Sequence, residues 1–195
     1  MRILVTIPHY CVSIPVNAKH GATARGPLER SAALAHAIAA LHQQWGSQQA
    51  IIQVGARRTK SANGGLCHTV DVVVVTDGRH HALHDLTIPE HLFEHLRVEI
   101  EPVHLGFACH KVLAERSSDY DYCGFMEDDL IVHDPWWFDK LEWFIGHVGA
   151  DKILLPNRYE VAIGLAYQKV YLDGDLAERV TNPDYSRVGK LVVAG

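Results

Sequence analysis

Residues 105–144 read LGFACHKVLAERSSDYDYCGFMEDDLIVHDPWWFDKLEWF, and this stretch predicts a helix, a strand, an acidic turn and a second helix. The first helix follows from apolar residues at helical spacing, namely Leu105, Ala108, Cys109, Val112 and Leu113. Residues 122–126 are apolar but too few for a helix between polar breakers, which favours a buried interior strand. The acids Glu127, Asp128 and Asp129 follow at once, so we expect them where a strand reaches the surface.

The second helix is predicted to begin with Asp134 as its N-cap and Pro135 in its first turn. Its apolar stripe consists of Trp137, Leu141, Phe144 and Val148. An acidic turn between a buried strand and a helix is well placed for a ligand, because open α/β sheets bind ligands outside the carboxyl ends of their strands.

The three neighbouring carboxylates repel one another, and a divalent cation would relieve that repulsion. Hard oxygen donors of this kind suit Mg²⁺ or Mn²⁺, and a diphosphate would coordinate the same ion. The alternative interpretation is a solvated acidic turn that binds nothing. The strand before the turn and the helix after it bring the two interpretations to near parity.

The composition is that of one soluble globular α/β domain, with 195 residues of which 48% are hydrophobic and 21% charged. A net charge of -5 and a pI near 6.2 argue against a nucleic-acid-binding surface. No apolar run has the length of a membrane span and no signal sequence follows Met1, so we expect a cytoplasmic protein without a transmembrane segment. The cysteines lack paired zinc spacing and are expected to be reduced thiols: Cys11, Cys67, Cys109 and Cys123.

The 14 histidines are an excess for a chain of this length. His80, His81 and His84 are close in sequence, and His91 and His95 stand four residues apart on a predicted helix. Either group could face a metal such as Zn²⁺. No CxxC or HExxH pattern supports such a site, and a solvated polar surface is the more common outcome.

Two segments, residues 2–8 and 70–76, predict central strands of a parallel sheet because both are rich in β-branched residues. The first is followed by His9 and Tyr10, and the second by Asp77. Asp77 is either a turn residue or a carboxylate that reads a nucleoside in the same crevice as the acidic turn.

The remaining elements complete an α/β pattern with a mostly parallel sheet. A helix is predicted over residues 27–45, with Leu34, Ile38, Leu41 and Trp45 facing inward, and a shorter one over residues 87–95. Further strands are predicted over residues 50–54, 97–103, 152–155, 167–172 and 191–194. Residues 55–66 predict a basic loop whose Arg57, Arg58 and Lys60 could meet phosphates, although solvated loops are more common.

Together these segments resemble the nucleotide-diphospho-sugar transferases of the GT-A fold, specifically the enzymes similar to glycosyltransferase family two. The resemblance covers residues 1–160 and rests on motifs in the expected order: TIPHY at 6–10, LHQQ at 41–44, VVTDG at 74–78, GFACHKVL at 106–113 and FMEDD at 125–129, followed by PW at 135–136. It implies a three-layer αβα fold with a mostly parallel central sheet.

The resemblance also implies which residues bind the donor. The nucleotide would contact Pro8, His9, Tyr10, Asp77 and Asp128. Asp129, with Glu127 or Asp128, would hold Mn²⁺ or Mg²⁺ on the diphosphate while an acceptor hydroxyl attacks the anomeric carbon of the sugar. The acceptor would be a glycan, a lipid or a small molecule, and no residue is assigned as the general base.

Residues 191–195 are apolar and β-prone at the very end of the sequence. We therefore expect residues 1–195 to form a single GT-A-like domain that is incomplete at its carboxyl end and inactive as a transferase by itself. Two alternatives stay open: a non-catalytic nucleotide-sugar-binding module and a histidine-rich metal-binding module.

Overall fold

The computed structural model describes residues 1–12, 26–62, 68–149, 151–154, 156–161 and 168–171. The chain divides into two compact units, Met1–Pro135 and Trp136–Gly195. The strand predicted over residues 191–194 lies outside the described residues. In the part of the chain that the structure describes, no helix is long and apolar enough to cross a membrane.

The first unit is an α/β structure built on a parallel sheet. In chain order it contains β1 (Arg2–Pro8), α1 (Pro27–Trp45), β2 (Ala50–Gln53), β3 (Arg58–Ser61), β4 (Thr69–Thr76), β5 (Glu94–Arg97), α2 (Leu105–Arg116) and β6 (Tyr122–Phe125). Strands β5, β4, β1 and β6 are neighbours in that order, and each neighbouring pair is parallel. The predicted α/β class with a parallel central sheet is confirmed.

Strands β1 and β4 form the centre of the sheet because their aliphatic side chains are buried on both faces. One face packs against α2 in a core of Leu4, Val73, Val75, Leu105, Cys109 and Val112. Alternate residues such as Ile3, Ile7 and Val74 point to the other face and are fully buried as well. Helix α1 contacts β4 and buries the predicted stripe of Leu34, Ile38, Leu41 and Trp45. The arrangement is compatible with three layers, helix on sheet on helix.

The segment predicted as a basic loop, residues 55–66, contains strand β3. This strand pairs antiparallel with β2, from Ala50 opposite Ser61 to Gln53 opposite Arg58. The prediction of a loop was therefore wrong for this part. Strand β2 belongs to a separate two-stranded hairpin instead of the parallel sheet.

Predictions were also wrong at the two edges of the described sheet. Strand β6 is an edge strand with alternating burial, and its Phe125 is exposed, so it is not an interior strand. The helix predicted over residues 87–95 is a single helical turn, Glu90–Leu92, after which the chain pairs with β4 as β5. The strand predicted over residues 97–103 was also wrong, because β5 covers Glu94–Arg97 and Pro102–His104 is a helical turn. Pairing with a neighbouring strand outweighs local periodicity at this edge.

The second unit contains α3 (Trp137–Val148) and an antiparallel hairpin of β7 (Tyr159–Val161) and β8 (Lys169–Tyr171). Trp136, and not Asp134, is the N-cap residue of α3, because the first helical hydrogen bond runs from the Lys140 N–H to the Trp136 carbonyl at 2.8 Å. The helix buries Phe138 and Phe144, so only Phe144 of the predicted stripe is fully covered.

The chain after α3 differs from the prediction as well. The helix ends at Gly149, whose φ of 97° lies in the left-handed region that glycine adopts without strain. A strand was predicted over residues 152–155, but the chain turns at residues 151–152, where the Lys152 N–H donates to the Gly149 carbonyl, and residues 153–154 have no regular secondary structure. Residue 155 lies outside the described residues. Strand β8 lies within the predicted residues 167–172, whereas β7 was not predicted.

We expect Leu34→Ala to lower the free energy of unfolding by about 2–5 kcal/mol, since Leu34 is fully buried and its truncation leaves a cavity against the sheet. Leu28→Ala on the same helix is the matched control, because Leu28 is 74% exposed. Urea unfolding followed by circular dichroism measures both. Equal losses in the two variants would contradict the packing described here.

Candidate functional site

Three loops meet at the carboxyl ends of the strands of the parallel sheet. Strands β4, β1 and β6 are neighbours and run in the same direction, so the residues after Thr76, Pro8 and Phe125 lie at the same edge. Backbone hydrogen bonds continue past the strand ends, from the His9 N–H to the Val75 carbonyl and from the Met126 N–H to the Thr6 carbonyl. The edge thus carries residues 9–10, 77–80 and 127–129, as the sequence predicted.

A buried carboxylate joins these loops to the first helix. Asp128 Oδ2 lies 2.6 Å from His9 Nδ1 and 2.6 Å from Arg30 Nη2. The side chains of His9 and Asp128 are 0% and 7% exposed, and that of Arg30 is 11% exposed. Arg30 also donates to the Tyr10 carbonyl at 3.2 Å. The Asp128 carboxylate therefore ties the end of β1, the acidic turn and the start of α1 together.

The hydrogen bonds identify the tautomer of His9. The backbone N–H of Ala82 donates to His9 Nε2 at 3.2 Å, so this nitrogen is an acceptor and the ring proton lies on Nδ1. That proton is donated to Asp128 Oδ2. In this arrangement a neutral imidazole bridges the loop after β4 and the acidic turn after β6, and Arg30 supplies the charge that balances the carboxylate.

Asp77 organises the turn that follows β4. Its Oδ1 accepts the backbone N–H groups of Arg79 and His80 at 2.9 and 2.7 Å, and its Oδ2 lies 2.6 Å from His80 Nδ1. Burial raises the pKa of Asp77, but these hydrogen bonds outweigh it and hold the pKa below its ordinary value. Gly78, with a φ of 78°, lets the chain reverse within this turn.

An aromatic pair lies beside this turn. The rings of Tyr10 and His80 are 5.6 Å apart, and the Cys11 N–H donates to the His80 carbonyl at 2.9 Å. His80 is half exposed, whereas the Asp77 side chain is only 8% exposed. The surface that a ligand would meet here is therefore the ring of His80 more than the carboxylate of Asp77.

The structure separates the residues predicted for nucleotide and metal binding into two groups. His9, Asp77 and Asp128 make their polar contacts within the protein. Glu127 is exposed and Asp129 is partly exposed on either side of the buried Asp128. Among the described residues, no group of three or more His, Cys, Asp or Glu side chains is arranged to hold a metal ion.

His81, His84 and His95, which belong to two different predicted histidine groups, form a cluster of rings, whereas His80 contacts Asp77 and Tyr10. His81 lies 5.1 Å from His95 and 6.4 Å from His84, measured between ring centroids. His95 Nε2 is 2.8 Å from the Thr76 hydroxyl. The pairing of His91 and His95 on one helix was wrong, because His91 is in a helical turn and His95 is in β5.

Sequence reasoning missed Arg30, which the structure places at the centre of the site. A signal for it was present in the sequence. Arg30 lies in the first turn of α1, where the helix dipole favours acids over cations. A cation at that position indicates a nearby anion, which is Asp128.

A depression of about 290 Å³ lies along α1 and residues 131–133. It is lined by His36, Gln43, Gln44, Ile131 and His133, among others. The Gln44 amide donates to the Val132 carbonyl across it. The residues that carry the chemistry lie at the carboxyl ends of the strands instead, so we place the site there.

Comparisons of the chain with family models, curated proteins and solved structures gave no match. What the site could bind or catalyse is therefore inferred from its geometry. It combines the exposed carboxylate of Glu127 and the partly exposed one of Asp129, the half-exposed ring of His80, and the buried pair of Asp128 with Arg30.

We expect Asp128→Asn to lower the free energy of unfolding by about 2–4 kcal/mol, because it leaves Arg30 without its buried counter-ion. Glu127→Gln is the matched control, since the exposed neighbour should change stability by less than about 0.5 kcal/mol. Chemical denaturation measures both variants. A loss for Asp128→Asn as small as that for the control would show that the buried pair does not support the fold.

The histidine cluster gives the fold a defined pH dependence. Burial lowers the pKa of His81 and His95 below 6.5, and the positive charge of neighbouring histidines and Arg97 lowers it further. The unfolded chain then binds more protons than the folded one below about pH 6.5. Stability is therefore present above that pH and is lost as the pH falls toward the folded-state pKa values.

We expect the double variant His81→Gln, His95→Gln to lose less stability than the wild type between about pH 7.5 and about pH 5.5. Glutamine keeps a polar side chain for the Thr76 hydroxyl but takes up no proton. Thermal unfolding at a series of pH values measures the difference. A pH dependence as steep as that of the wild type would contradict this assignment.

Proposed function

We propose that this chain transfers a sugar from a nucleotide-diphosphate donor to a hydroxyl acceptor, on a fold of the GT-A type. The observation that supports the proposal most is the meeting of three loops at the carboxyl edge of β4, β1 and β6. This edge is where open α/β sheets bind nucleotides. It brings an acidic turn and an aromatic turn together in one crevice from distant parts of the sequence.

The loop after β4 would bind the nucleoside half of the donor. The half-exposed ring of His80, which is tilted by 57° to the ring of Tyr10, would supply a surface on which a planar base can stack. Asp77 would act mainly by fixing His80 and the turn, because both of its oxygens already accept hydrogen bonds. Residues 8–10 would line the crevice from the end of β1.

The acidic turn would bind the diphosphate through a cation. Glu127 and Asp129 fit Mn²⁺ or Mg²⁺, because two carboxylates supply hard oxygen donors and leave positions for water or phosphate oxygens. When bound, the ion would neutralise charge on the departing nucleoside diphosphate. Asp128 would serve as the anchor between these two acids, since its carboxylate already pairs with His9 and Arg30.

The buried ion pair would keep the acidic turn in position before a donor arrives. A turn on an edge strand has few neighbours of its own, and β6 pairs only with β1 in the described sheet. The contacts from Asp128 to His9 and Arg30 connect it to the central strand and the first helix. Such preorganisation lowers the cost of holding the donor in a reactive geometry.

We expect Asp129→Asn to weaken Mn²⁺-dependent binding of a nucleoside diphosphate more than tenfold, or about 1.4 kcal/mol, with the fold intact. Asp119→Asn is the matched control, because Asp119 is exposed at the end of α2, away from the crevice. Isothermal titration with UDP, GDP, CDP and ADP, each with and without Mn²⁺, measures both variants. Equal affinity in Asp129→Asn and the wild type would remove the metal assignment.

Catalysis and binding are separated by a second measurement. Release of nucleoside diphosphate from a panel of nucleotide sugars, with mixed hydroxyl acceptors and Mn²⁺, reports transfer. Coupled binding of nucleotide and Mn²⁺ without acceptor-dependent release would favour a non-catalytic nucleotide-sugar-binding module. Binding of Zn²⁺ without any nucleotide would favour the histidine-rich alternative.

A further inference from the structure

The β2–β3 hairpin lies beside the amino ends of the strands, whereas the candidate site lies at their carboxyl ends. The hairpin connects the end of α1 with the start of β4, where the Thr69 N–H donates to the Met1 carbonyl beside the amino end of β1. Every strand residue of the hairpin except Gln53 is exposed. The hairpin is therefore available to a partner without any effect on the strand ends that carry the site.

The hairpin exposes several aliphatic side chains, which is unusual for a loop that contacts only solvent. Ile51, Ile52 and Val54 are 56%, 72% and 81% exposed. Val54 opens the four-residue turn at the tip, and Arg57 closes it with a φ of 48°. The most exposed of these three residues is therefore at the end of the hairpin, where it would reach a surface first.

The register places two cations on the same face as Ile51. Paired residues on antiparallel strands share a face, so Ile51 and its partner Lys60 project together with Gln53 and its partner Arg58. Arg58 donates to the Gln53 side chain at 2.9 Å, which keeps its guanidinium on that face. Ile52 pairs with Thr59 and projects from the opposite face. With Arg57 at the tip, one face of the hairpin therefore combines Ile51 with cationic groups.

The positive charge of the hairpin is not neutralised within the described residues. No carboxylate there forms an ion pair with Arg57, Arg58 or Lys60. The sequence also contains no Asp or Glu between Glu29 and Asp71. A local excess of cations in a chain of net charge -5 indicates an anionic partner.

We propose that the β2–β3 hairpin docks this protein on the surface of an anionic lipid bilayer. Val54 at the tip and Ile51 on the cationic face enter the headgroup region, and Arg57, Arg58 and Lys60 pair with lipid phosphates and carboxylates. A nucleic acid would use the cations but would gain nothing from the exposed Val54 and Ile51 side chains. The combination of both therefore favours a lipid surface.

The test is co-sedimentation of the whole chain with vesicles of phosphatidylcholine, alone or with roughly a third phosphatidylserine. We expect binding to the anionic vesicles only, and its loss in about 1 M salt, where the screening length is about 3 Å. Arg57→Asn with Lys60→Gln should weaken binding about 25-fold, at roughly fivefold per charge. Val54→Ser should weaken it at least about threefold by removing the aliphatic group at the tip.

The matched control is Arg79→Gln with Lys111→Gln, which removes the same two charges from exposed positions elsewhere. This variant should bind within about twofold of the wild type if the hairpin is the docking element. All substituted side chains are exposed, and circular dichroism verifies that each variant is folded. The proposal concerns a different edge of the sheet from the nucleotide crevice, so the two succeed or fail separately.

Several outcomes would overturn the proposal. These are no binding to anionic vesicles, equal binding to neutral ones, and an equal effect of the hairpin and control variants. Binding of a single-stranded oligonucleotide in place of vesicles, measured by fluorescence anisotropy, would assign the hairpin to nucleic acid instead. An unchanged affinity in Val54→Ser would show that the contact is purely electrostatic and that the tip does not insert into the bilayer.

Discussion

The carboxylate of Asp128 has lost most of its contact with water, and a buried charge of this kind persists only with a partner. Arg30 provides the opposite charge and His9 provides a hydrogen bond, each at 2.6 Å. Both partners come from far along the chain, so the acidic turn has its shape only when β1, α1 and β6 are assembled. The geometry of the whole carboxyl edge depends on this interaction.

The three consecutive acids consequently have different roles. The fold directs the middle carboxylate inward as a structural anchor and leaves its two neighbours with access to solvent. The same division appears after β4, where Asp77 fixes the turn and His80 presents its ring outward. In both loops a buried or nearly buried carboxylate holds the backbone, and an exposed neighbour is available for a ligand. A site built in this way is preorganised, because its supporting contacts do not involve the ligand.

The two ends of the parallel sheet differ in chemical character. The carboxyl end gathers acids, histidines and aromatic rings. Beside the amino end, the β2–β3 hairpin combines cations with exposed aliphatic residues. The strands between them are buried at their centres and separate the two surfaces.

The sequence by itself determined the central elements of this protein. The β-branched runs of β1 and β4 and the apolar stripes of α1 and α2 follow from local periodicity, because a buried strand or a half-buried helix needs those spacings. The sequence also placed the acids of residues 127–129 and Asp77 directly after strands. Parallel strands then bring their carboxyl ends together, so the meeting of these residues at one end of the sheet was predictable.

Only the tertiary structure decided how each side chain is used. A helix was predicted where β5 forms, and a loop was predicted where β3 forms. Both strands depend on pairing with another strand, which local sequence patterns do not reveal. The assignment of Asp128 to the interior depends on Arg30, which is 98 residues away in sequence. Whether a charged side chain is hydrated, binds a metal or pairs with a buried group depends on which groups lie within a few ångströms of it. Only the folded chain sets those distances.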